Sequence, residues 1–269
     1  QLGVPFEKIT LEQNDSDLVR FGNGTGGSRS ITASGQAIVE ASALVVEKGK
    51  KAAAQALEAS EGDIEFSGGR FTIAGTDRSI GIMELAQRLR DGKVPEGSPA
   101  SLDVDHTSKE TASTFPNGCH VAEVEIDPDT GVVRIVRYNA VNDFGTVVNP
   151  MIVAGQLHGG VAQGIGQALM EEVNYDSSGQ PITGSFMDYA MPRAGDIPLM
   201  GIGDHPSPTK TNPLGTKGCG EAGCAGSLCV IVNAVLDALS EYGVTEINMP
   251  LTPEKVWRAI RDAEKAKAA

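Results

Sequence analysis

Alternating and helical patterns of apolar residues divide the chain into a succession of elements. An opening strand is expected over Ile9–Gln13. Glycines then crowd residues 21–37 (FGNGTGGSRSITASGQA), which reads as a loop. A helix is predicted from about Ser34 to Ala59, with Ile38, Ala41, Leu44 and Val45 on one face. Residues 61–75 alternate around Gly68-Gly69 and predict a hairpin, and a short helix carrying Met83, Leu85 and Leu89 follows. Residues 91–118 are polar, proline-bearing and irregular. CHVAEVEI, DPDTG and VVRIVRY (119–138) give a strand, a turn and a strand. A helix from about Met151 to Val173 carries Gly155, Gly159, Gly160, Gly164 and Gly166. Glycines weaken a helix interior, so these predict the close approach of another backbone or a ligand. A core-facing helix is expected over Ala225–Leu239, with Leu228, Cys229, Val232, Val235, Leu236 and Leu239 inward. A short strand (TEINM) and a last helix capped by Thr252 close the chain. Strands and helices mix without a βαβ rhythm, which predicts an α+β fold.

Composition narrows the function classes. The chain has 269 residues, 40% of them apolar, and a formal charge of −13. That sign disfavours nucleic acid and anionic membranes as partners. No run of 18 apolar residues is present, so no membrane-spanning helix is expected. Cysteines 119, 219, 224 and 229 match neither zinc nor iron–sulfur spacing, and their small neighbours predict buried, unpaired thiols in a reducing compartment. The histidines at 106, 120, 158 and 205 show no metal spacing, and no metal-ligating residue is assigned. The chain opens without methionine, partway into a pattern, and reads as a piece of a longer polypeptide.

One short stretch carries the chemistry. GCGEAG (218–223) fits the G-x-G-x-x-G spacing ahead of an apolar helix. A dinucleotide fingerprint needs a buried strand directly before the glycines, and SPTKTNPLGTK supplies none. A phosphate loop fails for want of Gly-Lys-Ser/Thr. Glu221 then stands out. As a loop acid it simply favours a helix N-terminus; hemmed in by glycines, it can also meet a ligand closely and act as a general base.

KGCGEAG resembles the K-G-x-G-E-x-G loop of the molybdenum hydroxylases, the family of xanthine, aldehyde and aerobic carbon-monoxide oxidoreductases. GGSRS with SGQA, HVAEVEIDPDTGVVRIVRY, DFGTVVNPMIVAGQLHGGVAQGIGQALMEE and FMDYAMPRAGDIP resemble further segments of the same subunit, in the family's order over most of residues 20–262. Cys219 and Cys224 depart from the small or aliphatic residues expected there.

The resemblance implies part of a molybdopterin-binding domain. Residues 1–118 would hold the GGSRS loop and long helix; residues 119–269 would hold the hairpin, the Gly-Gln helix and the catalytic loop. It implies a molybdenum-dependent oxidoreductase that hydroxylates an aldehyde or N-heteroaromatic compound with water-derived oxygen, Glu221 being the general base. Carbon-monoxide oxidation, or a structural role completing such a subunit, is the alternative. The cofactor would be molybdopterin with molybdenum, in its cytosine dinucleotide form. Gly26, Gly27, Ser28, Arg29, Ser30, Gln156, Lys217, Gly218 and Gly220 are its candidate contacts. For Ser28 and Ser30 a plain helix-capping role is equally open. Implied partners are the N-terminal part of the molybdenum subunit, an FAD subunit and a [2Fe–2S] subunit, in a dimer of heteromers in a bacterial cytoplasm. Asp143, Asn149, Asp188 and Arg193 read as turn or loop-ordering residues.

Overall fold

A computed structural model describes residues 1–19, 21–22, 24–109 and 112–268. Asn23 of the glycine-rich loop and Glu110 and Thr111 of the irregular stretch therefore lie outside the described residues. The chain divides into two compact units, residues 1–25 with 30–112, and residues 26–29 with 113–269.

The first unit packs helix α1 (Ser30–Ala56) and helix α2 (Ile82–Arg90) on a small antiparallel sheet, β1 (Ile64–Ser67), β2 (Arg70–Ile73) and β3 (Ser79–Gly81). The hairpin turns at Gly68 and Gly69, both with positive φ, as its pattern predicts. Helix α1 does not bury the apolar face expected of it: Ile38 and Leu44 are exposed. It buries small residues instead, Gly35, Ser42, Gly49, Ala52 and Ala53. The reason is Phe71, whose ring fills the space a Gly49 side chain would take, 2.2 Å from where its Cβ would stand. Leu85 and Leu89 of α2 face this core, whereas Met83 is exposed. Ile9–Gln13 forms no strand; a single 3-10 turn, Phe6–Lys8, precedes it.

The second unit is built on β4 (Asn117–Ile126) and β5 (Val133–Asp143), paired antiparallel across the Asp127–Gly131 turn. A third strand, β6 (Met200–Asp204), lies parallel to β5. The sequence pattern misses it because MGIGD is short and two of its five residues are glycine. Gly201 is needed there, since a Cβ would stand 2.2 Å from Asn139 Oδ1. Helices α3 (Pro150–Leu169), α4 (Ala222–Ala238) and α5 (Pro253–Ala268) complete the unit. Leu157, Val161, Ile165, Ile231, Val235 and Ile260 join fully buried Tyr138 in one core, each large apolar side chain contributing about 1.5–3 kcal/mol by its burial.

Helices α3 and α4 meet backbone to backbone. A methyl on Gly160 would sit 3.0 Å from Cys224 N; one on Gly223 would sit 2.5 Å from Leu157 O. The buried stripe of α4 is Gly223, Ser227, Ile231 and Val235. The helix is thus rotated from the expected face, and Cys229, expected inside, is exposed. TEINM forms no strand; Val244 and Ile247 pack on the core as irregular backbone. Thr252 Oγ1 accepts the Lys255 N–H at 3.4 Å, as a cap should. The α+β expectation holds. Among the described residues no helix is long and apolar enough to cross a membrane.

Candidate functional site

Glu221 stands immediately before α4, at the end of a loop whose shape is set by Ser28. The Ser28 hydroxyl donates to Glu221 Oε2 at 2.7 Å and accepts the Glu221 backbone N–H at 3.0 Å. Gly27 and Ser28 both have positive φ, +58° and +57°. The left-handed backbone at a serine is costly and must be held by its surroundings. Gly218 does the holding: a Cβ there would stand 2.1 Å from Ser28 O. At Gly220 a Cβ would only touch the Ser28 hydroxyl, at 3.4 Å. Gly218 therefore serves a serine far away in sequence, not a dinucleotide. The segment leading to Gly218 is loop, without the strand a Rossmann turn requires.

Lys217 turns away from this contact and pairs with Asp143, Nζ to Oδ2 at 2.5 Å, both side chains nearly buried. Asp143 also accepts the backbone N–H groups of Gly145 and Ser207. Burial alone would push the Asp143 carboxyl up; the Lys217 ammonium and the two N–H groups outweigh it and hold it at about 2. Asp143, expected only to shape a turn, is thus the anchor of the loop that carries Glu221. The Gly145–Thr216 bridge and the Lys217 N–H to Phe144 O bond at 2.8 Å reinforce the same junction.

Gln156 is exposed on α3, and its Oε1 lies 3.8 Å from where a Gly220 Cβ would stand. Gly155 and Gly159 flank it on the helix, and neither has a neighbour within 4 Å of a would-be Cβ. Gly26 and Gly27 are equally open. Gly27 is called for by its positive φ; Gly26, Gly155 and Gly159, unlike Gly160 and Gly164, are not explained by packing within the chain. They leave bare backbone beside Ser28 and Gln156, which fits a bulky, phosphate-bearing cofactor lying against the main chain. Arg29 follows Ser28 in the same loop, and Ser30 opens α1 in the first unit.

A cavity of about 540 Å³ opens beside Glu221 within the second unit. Gly27, Ser28 and Glu221 line it, as do residues to which the sequence reading gave no part in the site: Asn117, His120 and Asn142 from the sheet, Cys229 and Asn233 from α4. His120 Nδ1 is 2.7 Å from the Tyr138 hydroxyl, and its Nε2 is 3.3 Å from Asn142 Oδ1. The available signal was Gly118 and Gly226: a Cβ on the first would strike Asn142, and one on the second the His120 ring, each at 2.5 Å.

The chain resembles known proteins over almost its whole length. The chain is 37% identical over 273 residues to the 6-hydroxypseudooxynicotine dehydrogenase complex subunit gamma of Paenarthrobacter nicotinovorans, covering 99% of this chain and 34% of that one. It is 33% identical to the carbon monoxide dehydrogenase large chain of Hydrogenophaga pseudoflava, over 97% of this chain and 33% of that one. Among solved structures it superposes on the Cu,Mo-CO dehydrogenase with a TM-score of 0.88 at 32% identity, covering 98% of this chain and 33% of that one. Quinoline 2-oxidoreductase from Pseudomonas putida 86 gives 0.79 at 36% identity, covering 90% of this chain and 31% of the other. The chain spans about a third of the length of these relatives. Residues 1–198 match the molybdopterin cofactor-binding domain, and the chain belongs to that family.

Proposed function

We propose that the chain is part of a molybdenum-dependent oxidoreductase that hydroxylates an aldehyde or N-heteroaromatic substrate, with Glu221 as general base. The observation that carries this reading is the two-point hold of Ser28 on Glu221, beside an open cavity. When bound, the molybdenum pterin supplies an activated, water-derived oxygen and takes up the electrons. The chain's own part is positioning and proton handling. Glu221 accepts a proton at Oε1 or Oε2, and a base held in place contributes about 10²–10⁴-fold. Gly26 and Gly27 offer backbone N–H groups to cofactor oxygens, with Ser28, Arg29 and Ser30 as flanking polar groups. Gln156 presents its amide from α3. Gly218, Gly220 and Lys217 hold the loop, Lys217 through Asp143.

On this reading the cofactor is the cytosine dinucleotide form, and electrons leave through [2Fe–2S] and FAD partner subunits. The complex is a dimer of heteromers in a bacterial cytoplasm. The similarity to the 6-hydroxypseudooxynicotine dehydrogenase subunit and to quinoline 2-oxidoreductase favours a heteroaromatic substrate. Carbon monoxide oxidation is the second reading, supported by the 0.88 superposition on the Cu,Mo enzyme.

The test is made on the natively purified complex. Elemental analysis should find about one molybdenum per chain. Glu221→Gln should slow substrate-driven reduction by about 10²–10⁴-fold while molybdenum content stays unchanged. Unaltered reduction in that variant would sink the assignment.

A further inference from the structure

The sequence pattern expects a strand over residues 9–13, and the chain makes none there. The stretch nevertheless has a strand's limits. Ile9 has extended backbone, φ −101° and ψ 122°, directly after the 3-10 turn Phe6–Lys8. Asn14 stands in the left-handed region at φ +65°, and the Leu18 and Val19 N–H groups then close a turn on Asp15 O. The five residues between the two turns are the usual length of a strand. In an extended chain Ile9 and Leu11 share one side, and Thr10 and Glu12 the other.

Among the described residues, no hydrogen bond reaches the main chain of residues 10–13. The apolar side chains are as bare as the backbone: Phe6, Ile9, Leu11, Leu18 and Phe21 are 60–88% exposed. Single exposed apolar residues are ordinary, but a run of them on an unpaired backbone of strand length invites another strand. The stretch is fastened on its upstream side. Leu2 and Val4 pack on the core of the first unit. Gly3 lies against Gly69: a Cβ on Gly3 would stand 2.3 Å from Gly69 N, and one on Gly69 2.7 Å from Gly3 O. TEINM gives the contrast. It too was expected as a strand and is irregular, but its Ile247 packs on the core of the second unit. Ile9 and Leu11 join neither core.

The missing neighbour is not one of the strands described, since both sheets, β1-β2-β3 and β4-β5-β6, form without residues 9–13. The chain spans 33–34% of the two curated relatives above, so about two thirds of each has no counterpart here. A strand on the same polypeptide meets residues 9–13 at a far higher effective concentration than one on a separate copy.

We propose that residues 9–13 are a strand of a sheet completed by the rest of the subunit: a segment outside residues 1–269 pairs with their main chain and covers Ile9 and Leu11. The pairing rests on the function proposed above only in placing this chain inside a longer subunit; it needs neither Glu221 nor molybdenum. The neighbour should carry β-branched or aromatic residues on the side of Ile9 and Leu11.

The test is hydrogen exchange read by mass spectrometry on the natively purified complex. The amides of residues 10–13 should exchange at least about a hundredfold more slowly than an unpaired peptide of the same sequence. Ile9→Ser with Leu11→Ser should speed that exchange about tenfold, because the apolar side is lost. Thr10→Ser with Glu12→Gln, on the polar side, should leave it unchanged. A photo-cross-linker in place of Leu11, Leu11→p-benzoylphenylalanine, identifies the neighbour. It should join residue 11 to a peptide outside residues 1–269 of the same subunit, so that the subunit's mass on a denaturing gel does not change. Exchange at the unpaired rate would overturn the proposal, and this is read on the unaltered complex, whether or not the double variants assemble. Equal effects of the two double variants would overturn it as well. So would an absent cross-link, or one to residues 1–269, to a second copy or to another subunit. Full turnover by Glu221→Gln would remove the assigned base and leave both readouts as they are.

Discussion

Both units bury hydrocarbon; the second also buries backbone contacts and a charge pair. Around Phe71 the first unit packs Ile64, Ile80, Leu85 and Leu89, and its buried polar side chains, Thr32 and Ser42, lie on α1. The second unit buries Asn142, Asp143, Asn212, Thr216 and Ser227, and its α3 and α4 approach backbone to backbone at Gly160 and Gly223. An apolar core can exchange volume between neighbours. Backbone contacts and a paired charge cannot be redistributed in that way. The proposed site lies on one side of this difference: Glu221, Ser28 and the Asp143–Lys217 pair all belong to the second unit.

Paired glycine substitutions test this contrast most harshly. Gly223→Leu should prevent the second unit from folding, because Leu157 O and Val161 N, 2.5 and 2.7 Å from the new Cβ, are helix backbone. Gly49→Ala in the first unit meets only the Phe71 ring and should cost about 1–3 kcal/mol. Trimming the ring with Phe71→Leu should recover much of that loss, whereas no neighbouring truncation should rescue Gly223→Leu. The sole tryptophan, Trp257, lies on α5 of the second unit, so its fluorescence reports that unit while far-UV circular dichroism follows both. Rescue in both units, or in neither, would erase the distinction.

Next in size is Lys217→Met. It leaves the nearly buried Asp143 carboxylate without its counter-charge, held only by the Gly145 and Ser207 N–H groups and the Asn117 amide, and should destabilise the second unit by about 3–5 kcal/mol. Denaturation followed by Trp257 fluorescence measures it. A loss below about 1 kcal/mol would mean the pair behaves like a surface contact.

That pair also shows where reading the sequence stopped. Local signals were legible: the hairpins at Gly68-Gly69 and Asp127–Gly131, the helix begun by Pro253, and the glycines of α3. Of those glycines, Gly160 and Gly164 proved to face α4, as a close backbone approach requires. Buried faces were harder. The apolar face expected on α1 failed because Phe71 demands Gly49 and its small neighbours, a requirement visible only once β2 is beside the helix. The α4 stripe was misjudged because Ser227 and Gly223, not Leu228 and Cys229, carry the contact with α3. Glu221 was legible through its glycine neighbours. Asp143 was not, because its partner Lys217 is 74 residues away and neither residue's local sequence reports the other.

A milder test uses acid. Asp143 is held at about 2, below its ordinary 3.8. A carboxyl lowered on folding contributes stability that is fully present above about pH 4 and is lost as pH falls through about 2. For this nearly buried group the loss is about 2 kcal/mol. Denaturation midpoints taken from Trp257 fluorescence should therefore fall between pH 4 and pH 2. Glu40 in the first unit is likewise lowered to about 2, by His106, Ser108 and Gln36, but it is partly open to solvent. Added salt should weaken the Glu40 contribution more than that of Asp143. Midpoints unchanged down to pH 2 would show that Asp143 does not carry the loop.

The smallest effect separates positioning from packing at the start of α3. Asn149 Oδ1 accepts the Ile152 N–H at 3.2 Å, and Pro150 takes the first helical position, where its missing N–H costs nothing. Asn149→Ala should cost about 1 kcal/mol, the usual value of such a cap. Thr252→Ala at α5 removes a longer bond of 3.4 Å and should cost less. Both caps lie in the second unit, so Trp257 fluorescence reads both. They differ in what lies beyond: Gln156 is two turns into α3, whereas no proposed site residue lies on α5. If the cap sets the helix that presents Gln156, Asn149→Ala should also lower the molybdenum content of the purified complex, and Thr252→Ala should not. Equal molybdenum in the two variants would confine Asn149 to stability and leave the orientation of α3 to its backbone contact with α4.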